Sequence, residues 1–388
     1  MIVIGTGVAG IAAAQQLEQM GIDYVILEKQ PEAGGNWLQN TYPGAGVDTP
    51  SHLYSFSFAK NDWTTHFELR NELQGYFAQV LKDLGAGERV RYGTEVKSAT
   101  YDEANAQWTV QVNNSDGSSS TLVSDVVISA VGVLNRPKTP NVPGMNDFKG
   151  VSFHSADWPD NLDLDGKRVA IVGTGASSMQ IAPAIANQVA HLSIYQRSPQ
   201  WVAPFEKFRM PIPMELRHLM QSVPIYHSWY WIRLFWQFGD KVIESLRVDP
   251  EWEHPDRSVN ARNDAHREYF TRYITSQVGD RTDLLDKVMP DYPPFGKRIL
   301  LDNGNARTAL SPDGKWLAYG GTVQDVQLVN LPPPATAARR GNWMPSSAAR
   351  CGSNTICSSS GAPALTLTVA TPGIVSMRAR IRSSIWRR

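Results

Sequence analysis

"MIVIGTGVAGIAAAQQLEQMGIDYVILEK", residues 1–29, decides the fold. Ile2 to Ile4 are an apolar run, "GTGVAG" follows, and Ile11 to Met20 continue in helix-forming residues until Gly21. The pattern reads strand, tight turn, helix. "DYVILEK" is then a β-branched second strand that carries Glu28 near its end. In such a unit Gly5 permits the sharp turn and Gly7 lets backbone amides approach a pyrophosphate. Gly10 lets the helix pack closely on the strand. The helix N-terminus faces the anion. Glu28 lies 18 residues beyond Gly10, where a carboxylate accepts hydrogen bonds from ribose hydroxyls and repels a 2′-phosphate. The first site therefore suits FAD or NAD.

The same grammar returns in "KRVAIVGTGASSMQIAPAIA", followed by the strand "HLSIYQRS". Here Gly173 and Gly175 form the turn, and Ser178 replaces the third glycine. Arg197 occupies the place that Glu28 holds in the first unit, and a guanidinium there suits the 2′-phosphate of NADP. Two dinucleotide sites with opposite charge at the ribose end point to FAD and NADPH, and to electron transfer between nicotinamide and flavin.

The expected fold class is therefore α/β, with two Rossmann-like FAD/NAD(P)-binding domains of three layers. Residues 1–140 form the first part of the FAD domain. In it "QWTVQVNN" and "STLVSDVVISAVG" flank the turn "NSDGSSS", as a β-meander and then a strand returning to the first sheet. Residues 141–165 are a linker, entered through the proline-rich "NRPKTPNVPG". Residues 166–300 are the NADP domain, with a helical, aromatic insertion over about 205–288. Residues 301–388 read as a remnant of the FAD domain and an atypical basic tail, with "VQDVQLVN" as a last strand. Beyond Pro332 no period of 3.6 or 2 is sustained as far as Ser360.

The 388 residues are enough for two cores. Lys plus Arg and Asp plus Glu both number 37, which gives no reason to expect nucleic acid or an anionic surface as partner. The balance is uneven along the chain. From Asn305 onward only Asp313 and Asp325 oppose ten Lys and Arg, a net +8 that leaves −8 for the rest. Cys351 and Cys357 are too few for a disulfide framework and fit a reducing cytoplasm. "MIVIGTG" does not read as a secretory leader. The aromatic run Tyr226 to Gly239 is interrupted by His227 and Arg233, and is shorter than the ~18 to 20 apolar residues a membrane span needs.

Three further stretches carry a family resemblance. "FKGVSFHSADWP" resembles the signature of flavin-dependent Baeyer–Villiger monooxygenases, with Phe148, Gly150, His154 and Trp158 in place. "GGNWLQNTYPGAGVDTPSHLYSFSF" is similar to the flavin-domain stretch of that family, with Gly35, Trp37 and Tyr54 toward the cofactor and Asp48 as the active-site aspartate. "PPFGKRILLDNG" resembles the segment holding its Lys-Arg pair, here Lys297 and Arg298. The resemblance is closer still to the 4-hydroxyacetophenone branch.

The resemblance implies that NADPH reduces FAD, that molecular oxygen forms a C4a-peroxyflavin, and that this inserts oxygen beside the carbonyl of a small-molecule ketone, giving an ester or lactone. Arg298 would stabilise the developing anion, since a guanidinium holds its charge at neutral pH. Asp48 would orient Arg298, and Lys297 would help bind the 2′-phosphate. His154 has no proton to move in this chemistry, so a hinge with an interdomain hydrogen bond is expected of it. Two other readings stay open: a flavin monooxygenase acting on amine or sulfide heteroatoms, and an inactive dinucleotide-binding fragment whose FAD domain is unfinished at its C-terminal end.

Overall fold

The computed structural model describes residues 1–139 and 144–302, together with the backbone of three strands beyond them. The first half runs β1 (Ile2–Ile4), α1 (Val8–Gln19), β2 (Val25–Leu27), α2 (Asn36–Gln39), α3 (Arg70–Asp83), β3 (Val90–Arg91), β4 (Thr94–Asp102), β5 (Gln107–Asn114), β6 (Ser119–Ser124) and β7 (Val127–Ser129). Its parallel sheet has the order β3-β2-β1-β7. With β1 central, Val3 is fully buried in a core that also holds Ile11 and Leu17 of α1 and Phe77 of α3. Each such side chain contributes roughly 1.5 to 3 kcal/mol through burial. The meander β4-β5-β6 is antiparallel, and packs on the sheet through Val110 and Val112 against Ile2 and Leu27.

The second half runs β8 (Arg168–Val172), α4 (Ala176–Ile185), β9 (His191–Gln196), β10 (Val202–Pro204), α5 (Met214–Ser222), α6 (Pro224–Phe235), α7 (Lys241–Ile243), α8 (Ala261–Val278), α9 (Leu285–Val288) and β11 (Leu300–Asp302). It continues with β12 (Thr308–Leu310), β13 (Leu317–Tyr319) and β14 (Val326–Asn330). The expected helical insertion is present as α5 to α9. β8 and β9 are parallel, as are β10 and β11.

Two features differ from the sequence reading. Val326–Asn330 is a strand, but it pairs in parallel with β9 and so joins the second sheet instead of finishing the first. The assignment of residues 301–388 to the FAD domain is corrected for that strand. The short antiparallel pair β12–β13 was not expected at all. The two cysteines and the basic tail beyond Asn330 lie outside the described residues.

The two sheets also differ in completeness. β1 has a partner on each side, whereas β8 pairs only with β9 among the described residues. Val172 is accordingly 65% exposed, where Val3 is 0%. The aromatic run from Tyr226 forms α6 and a following π-helical turn, and α6 is anchored by Tyr230 and Leu234 on Leu53 and Met220. Among the described residues no helix is long and apolar enough to cross a membrane.

Candidate functional site

At the first glycine turn the backbone itself forms a cradle. Gly5 has φ +101°, and a Cβ there would come 2.8 Å from the carbonyl oxygen of Ala130 on the chain leaving β7. A Cβ on Gly10 would lie 1.9 Å from Gly5 O, so α1 packs on its own turn only because residue 10 has no side chain. Gly35, at φ +56°, meets Gly7 face to face, with a Cβ only 2.8 Å from Gly7 Cα. No side chain caps the N-terminus of α1, so its free amides remain available to an anion. Glu28 is 5% exposed at the end of β2. Its Oε2 accepts from Thr6 N at 2.8 Å and Thr6 Oγ1 at 2.7 Å, and its Oε1 from Gln30 N at 2.9 Å. A carboxylate has about four acceptor positions, so capacity remains for a ribose hydroxyl. This cradle fits a dinucleotide.

The wall beside it is aromatic. Trp37 on α2 donates from Nε1 to Tyr54 OH at 3.2 Å, and the rings meet edge to face. Tyr54 packs in turn on Phe77. Burial raises the Tyr54 phenol above its ordinary range, and the Asp48 charge adds to this. A neutral hydroxyl next to Asp48 and Arg298 follows.

Asp48 and Arg298, 250 residues apart, form an ion pair of 2.5 Å between Oδ1 and Nη2. The Asp48 side chain is 17% exposed and that of Arg298 61%. Short backbone elements bring them together. Gly46 bridges to Leu69, and Val47 N donates to Glu68 O, which fixes the loop before Asp48. On the other side Phe295 (φ +65°) and Gly296, whose N–H donates to Pro293 O, make the turn ahead of Lys297 and Arg298. β11 then starts at Leu300 and is held by β10. The guanidinium is thus presented to solvent by a rigid strand end, with one carboxylate fixing its direction.

At the second turn Gly173 has φ +119°, with nothing within 4 Å of an added Cβ, and Gly175 is equally open. Ser178 is buried, at 8% exposure, in the position of the missing third glycine. A concave surface between this turn and β10 is lined by Thr174, Ser178, Gln196, Gln200 and Val202. Lys297 Nζ donates to Ser198 Oγ and lies 4.2 Å from the centroid of Tyr292. Burial and then the nearby charge of Arg197 lower the Lys297 pKa. Two cations thus face one region at the end of β9, a donor set that fits a phosphate.

The signature stretch makes local contacts among the described residues. His154 caps a short turn, its Nδ1 accepting from Ala156 N at 3.1 Å, so among the described residues the bond it makes is local and not the interdomain one expected. Trp158 packs on the core of the second sheet and meets Phe153 edge to face at 5.1 Å. Phe148, 64% exposed, lies over Gly150, where a Cβ would come 2.5 Å from its ring.

Sequence reasoning missed the seam between the two nucleotide units. Tyr42 OH donates to Gln180 Oε1 at 3.0 Å, and Gln180 Nε2 donates to Gly46 O at 2.8 Å. The loop carrying Asp48 therefore rests on α4. It also missed Arg209, whose guanidinium covers Gly46. Neither residue belongs to a recognisable spacing; only the Gly-rich loop they touch carried a signal.

The family described as pyridine nucleotide-disulphide oxidoreductase matches residues 1–223. The chain is 50% identical over 312 residues to an uncharacterized monooxygenase, y4iD, of Sinorhizobium fredii, an alignment covering 80% of this chain and 47% of that protein. It is 37% identical over 320 residues to a Baeyer-Villiger monooxygenase of Streptomyces coelicolor, covering 82% and 58%. The chain thus spans about half the length of these curated relatives. Among solved structures, cyclohexanone monooxygenase bound to epsilon-caprolactone superimposes with a TM-score of 0.67 at 25% identity, covering 84% of this chain and 72% of that one. Cyclohexanone monooxygenase from Rhodococcus sp. Phi1 bound to NADP+ gives 0.65 at 26% identity, covering 84% and 69%.

Proposed function

Since the chain belongs to the pyridine nucleotide-disulphide oxidoreductase family, we propose that it carries the nucleotide and reaction sites of an FAD- and NADPH-dependent Baeyer–Villiger monooxygenase. Its substrate would be a small ketone, converted with molecular oxygen to an ester or lactone. The resemblance of its motifs to the 4-hydroxyacetophenone branch favours an aryl ketone.

Gly5, Gly7, Gly10 and Gly35 would hold the FAD pyrophosphate, with Glu28 at the ribose and Trp37 and Tyr54 along the ring side. Gly173, Gly175 and Ser178 would take the NADPH pyrophosphate, with Arg197 and Lys297 at the 2′-phosphate. FAD, once reduced by NADPH, supplies the oxygen-activating chemistry. Arg298 would offer a fixed positive charge to the oxygen that becomes anionic during attack on the carbonyl, and Asp48 would keep that charge aimed. A guanidinium suits this task because it gives up no proton at neutral pH. Tyr54, held neutral beside the pair, would shield it from water. His154 and Trp158 would act at the joint between the domains.

The Asp48–Arg298 pair carries this reading. It joins the loop beside the first nucleotide turn to the segment in which Lys297 reaches Ser198 after β9. The test is Arg298→Ala in the FAD-loaded protein. Ester formation from an aryl ketone should fall by at least about a hundredfold, the scale of losing one such donor, while flavin reduction by NADPH persists. Undiminished ester formation would refute the assignment, and thioether oxidation without ketone oxidation in the parent protein would point to heteroatom chemistry instead.

A further inference from the structure

Behind the Asp48 loop stands a second guanidinium that no motif predicts. Arg209 follows β10 in a left-handed conformation, φ +62°, which an arginine adopts only when its surroundings hold it there. They do. His66 N donates to Met210 O at 3.0 Å, Ile212 N donates to Thr64 O at 2.8 Å, and Thr65 bridges to Pro211. The side chain then turns toward the loop. Its Nη2 donates to Gly44 O at 3.3 Å and its Nη1 to Glu68 O at 3.4 Å, while Cζ sits 5.1 Å from the Phe208 centroid.

The fit against the loop is close. A Cβ on Gly46 would come 2.2 Å from Arg209 Nη1 and 2.8 Å from Nη2, so the guanidinium occupies the space a side chain would need. The carbonyls it touches bracket the loop: Gly44 stands at its start, and Glu68 O also accepts from Val47 N. Gln180 of α4 holds Gly46 O. Asp48 is the leading charged group that supports the cationic form of Arg209 against its burial. The two arginines flank one parallel strand pair from its opposite ends, since Arg209 follows β10 and Arg298 precedes β11.

We propose that Arg209 is a positioning residue for the Asp48–Arg298 pair: it clamps the Gly44–Asp48 loop from behind and so sets the direction in which the carboxylate meets Arg298. Its role in turnover rests on the reading of that pair as the reaction site; its role in geometry does not. Lysine would keep the charge but lose the fork that reaches two carbonyls at once.

The test separates the two. In the full chain, the side-chain guanidinium 15N resonance of Arg298, assigned with Arg298→Lys, is compared among the parent, Arg209→Met, Arg209→Lys and Asp48→Asn. Arg209→Met is expected to shift it most of the way to its position in Asp48→Asn, and Arg209→Lys to an intermediate place. Should Arg209→Met fail to fold, Arg209→Lys alone must still move the signal. An Arg298 resonance at the parent position in a folded Arg209 variant overturns the proposal. In the FAD-loaded protein, Arg209→Met should lower kcat for ester formation about tenfold with KM for NADPH within about twofold, and add less than about twofold to Asp48→Asn. Independent, multiplying effects would also overturn it. A shifted resonance with ester formation indifferent to Arg298→Ala would leave the clamp standing and remove the catalytic reading instead.

Discussion

Acid should loosen the contact between the helical insertion and the first domain. His52, His66 and His227 converge there around Tyr230. The His52 ring lies 5.4 Å from Tyr230 and 6.0 Å from His227, and Tyr230 OH is 3.4 Å from His66 Nδ1. His52 and His66 are each 6% exposed. Burial pushes His52 down to about 4, with His227 and His66 adding repulsion and Asp62 opposing it. Burial and Lys207 push His66 down to about 4 as well. His227 is lowered by burial and by Lys60. Arg217 holds Asp62 in an ion pair of 2.5 Å, which limits the relief Asp62 can offer.

The folded-state pKa values are depressed, so the unfolded chain takes up protons first. Stability is therefore fully present above about 6.5, the unfolded value, and is lost as pH falls toward about 4. Between pH 7 and pH 5 the linkage relation gives a loss of about 2 kcal/mol for each ring, about 4 kcal/mol for the two. That is a large part of the ~5 to 15 kcal/mol that holds a typical domain. Carboxylates contribute little in this window, because their ordinary values lie near 4. Urea unfolding followed by tryptophan fluorescence at pH 7, 6 and 5 measures it. His52→Gln and His66→Gln should each remove about 2 kcal/mol of the loss between pH 7 and pH 5, whatever they cost at pH 7. A stability that changes by less than about 1 kcal/mol across the window, or a slope untouched by both substitutions, would refute the reasoning.

Gly10→Ala should destabilise the first domain by at least about 1 to 3 kcal/mol and weaken FAD binding, because the added methyl meets Gly5 O; a melting temperature and an FAD affinity equal to the parent's would contradict this. Arg197→Ala and Lys297→Ala should each weaken NADPH binding about tenfold while leaving NADH almost unchanged, with salt reducing the difference. Equal losses for both nicotinamides would mean that neither residue meets a 2′-phosphate. His154→Ala removes the cap on Ala156 N and should disturb NADPH kinetics and coupling more than FAD affinity, read by oxygen uptake against product formed.

Much of the nucleotide framework was legible in the sequence because its demands are local. A positive φ at Gly5, a helix pressed on Gly10 and an acid at the end of β2 all lie within the first 28 residues and leave a spacing, and a positive φ at Gly173 opens the same pattern again. The meander β5–β6 was readable from its turn, but β4 was not, since its burial pattern has no alternation and most of it is exposed. Strand β14 was visible in the alternation of Val326, Leu328 and Val329 with polar residues, yet its sheet was misjudged, because a strand pattern does not name its neighbour.

The candidate site divides the same way. Sequence by itself determined two strand, glycine turn and helix units and the opposite charges of Glu28 and Arg197 after the strands that follow them. It did so because the steric and electrostatic requirements of phosphate and ribose act on neighbouring residues. Only the tertiary structure decided that Gln180 and Arg209 grip the loop that carries Asp48, and that His154 bonds to its own turn. Those contacts depend on β10 pairing with β11 and on α4 docking against Gly44 and Gly46. Such pairings are fixed by packing over long chain separations, which leaves no period in the residues that take part.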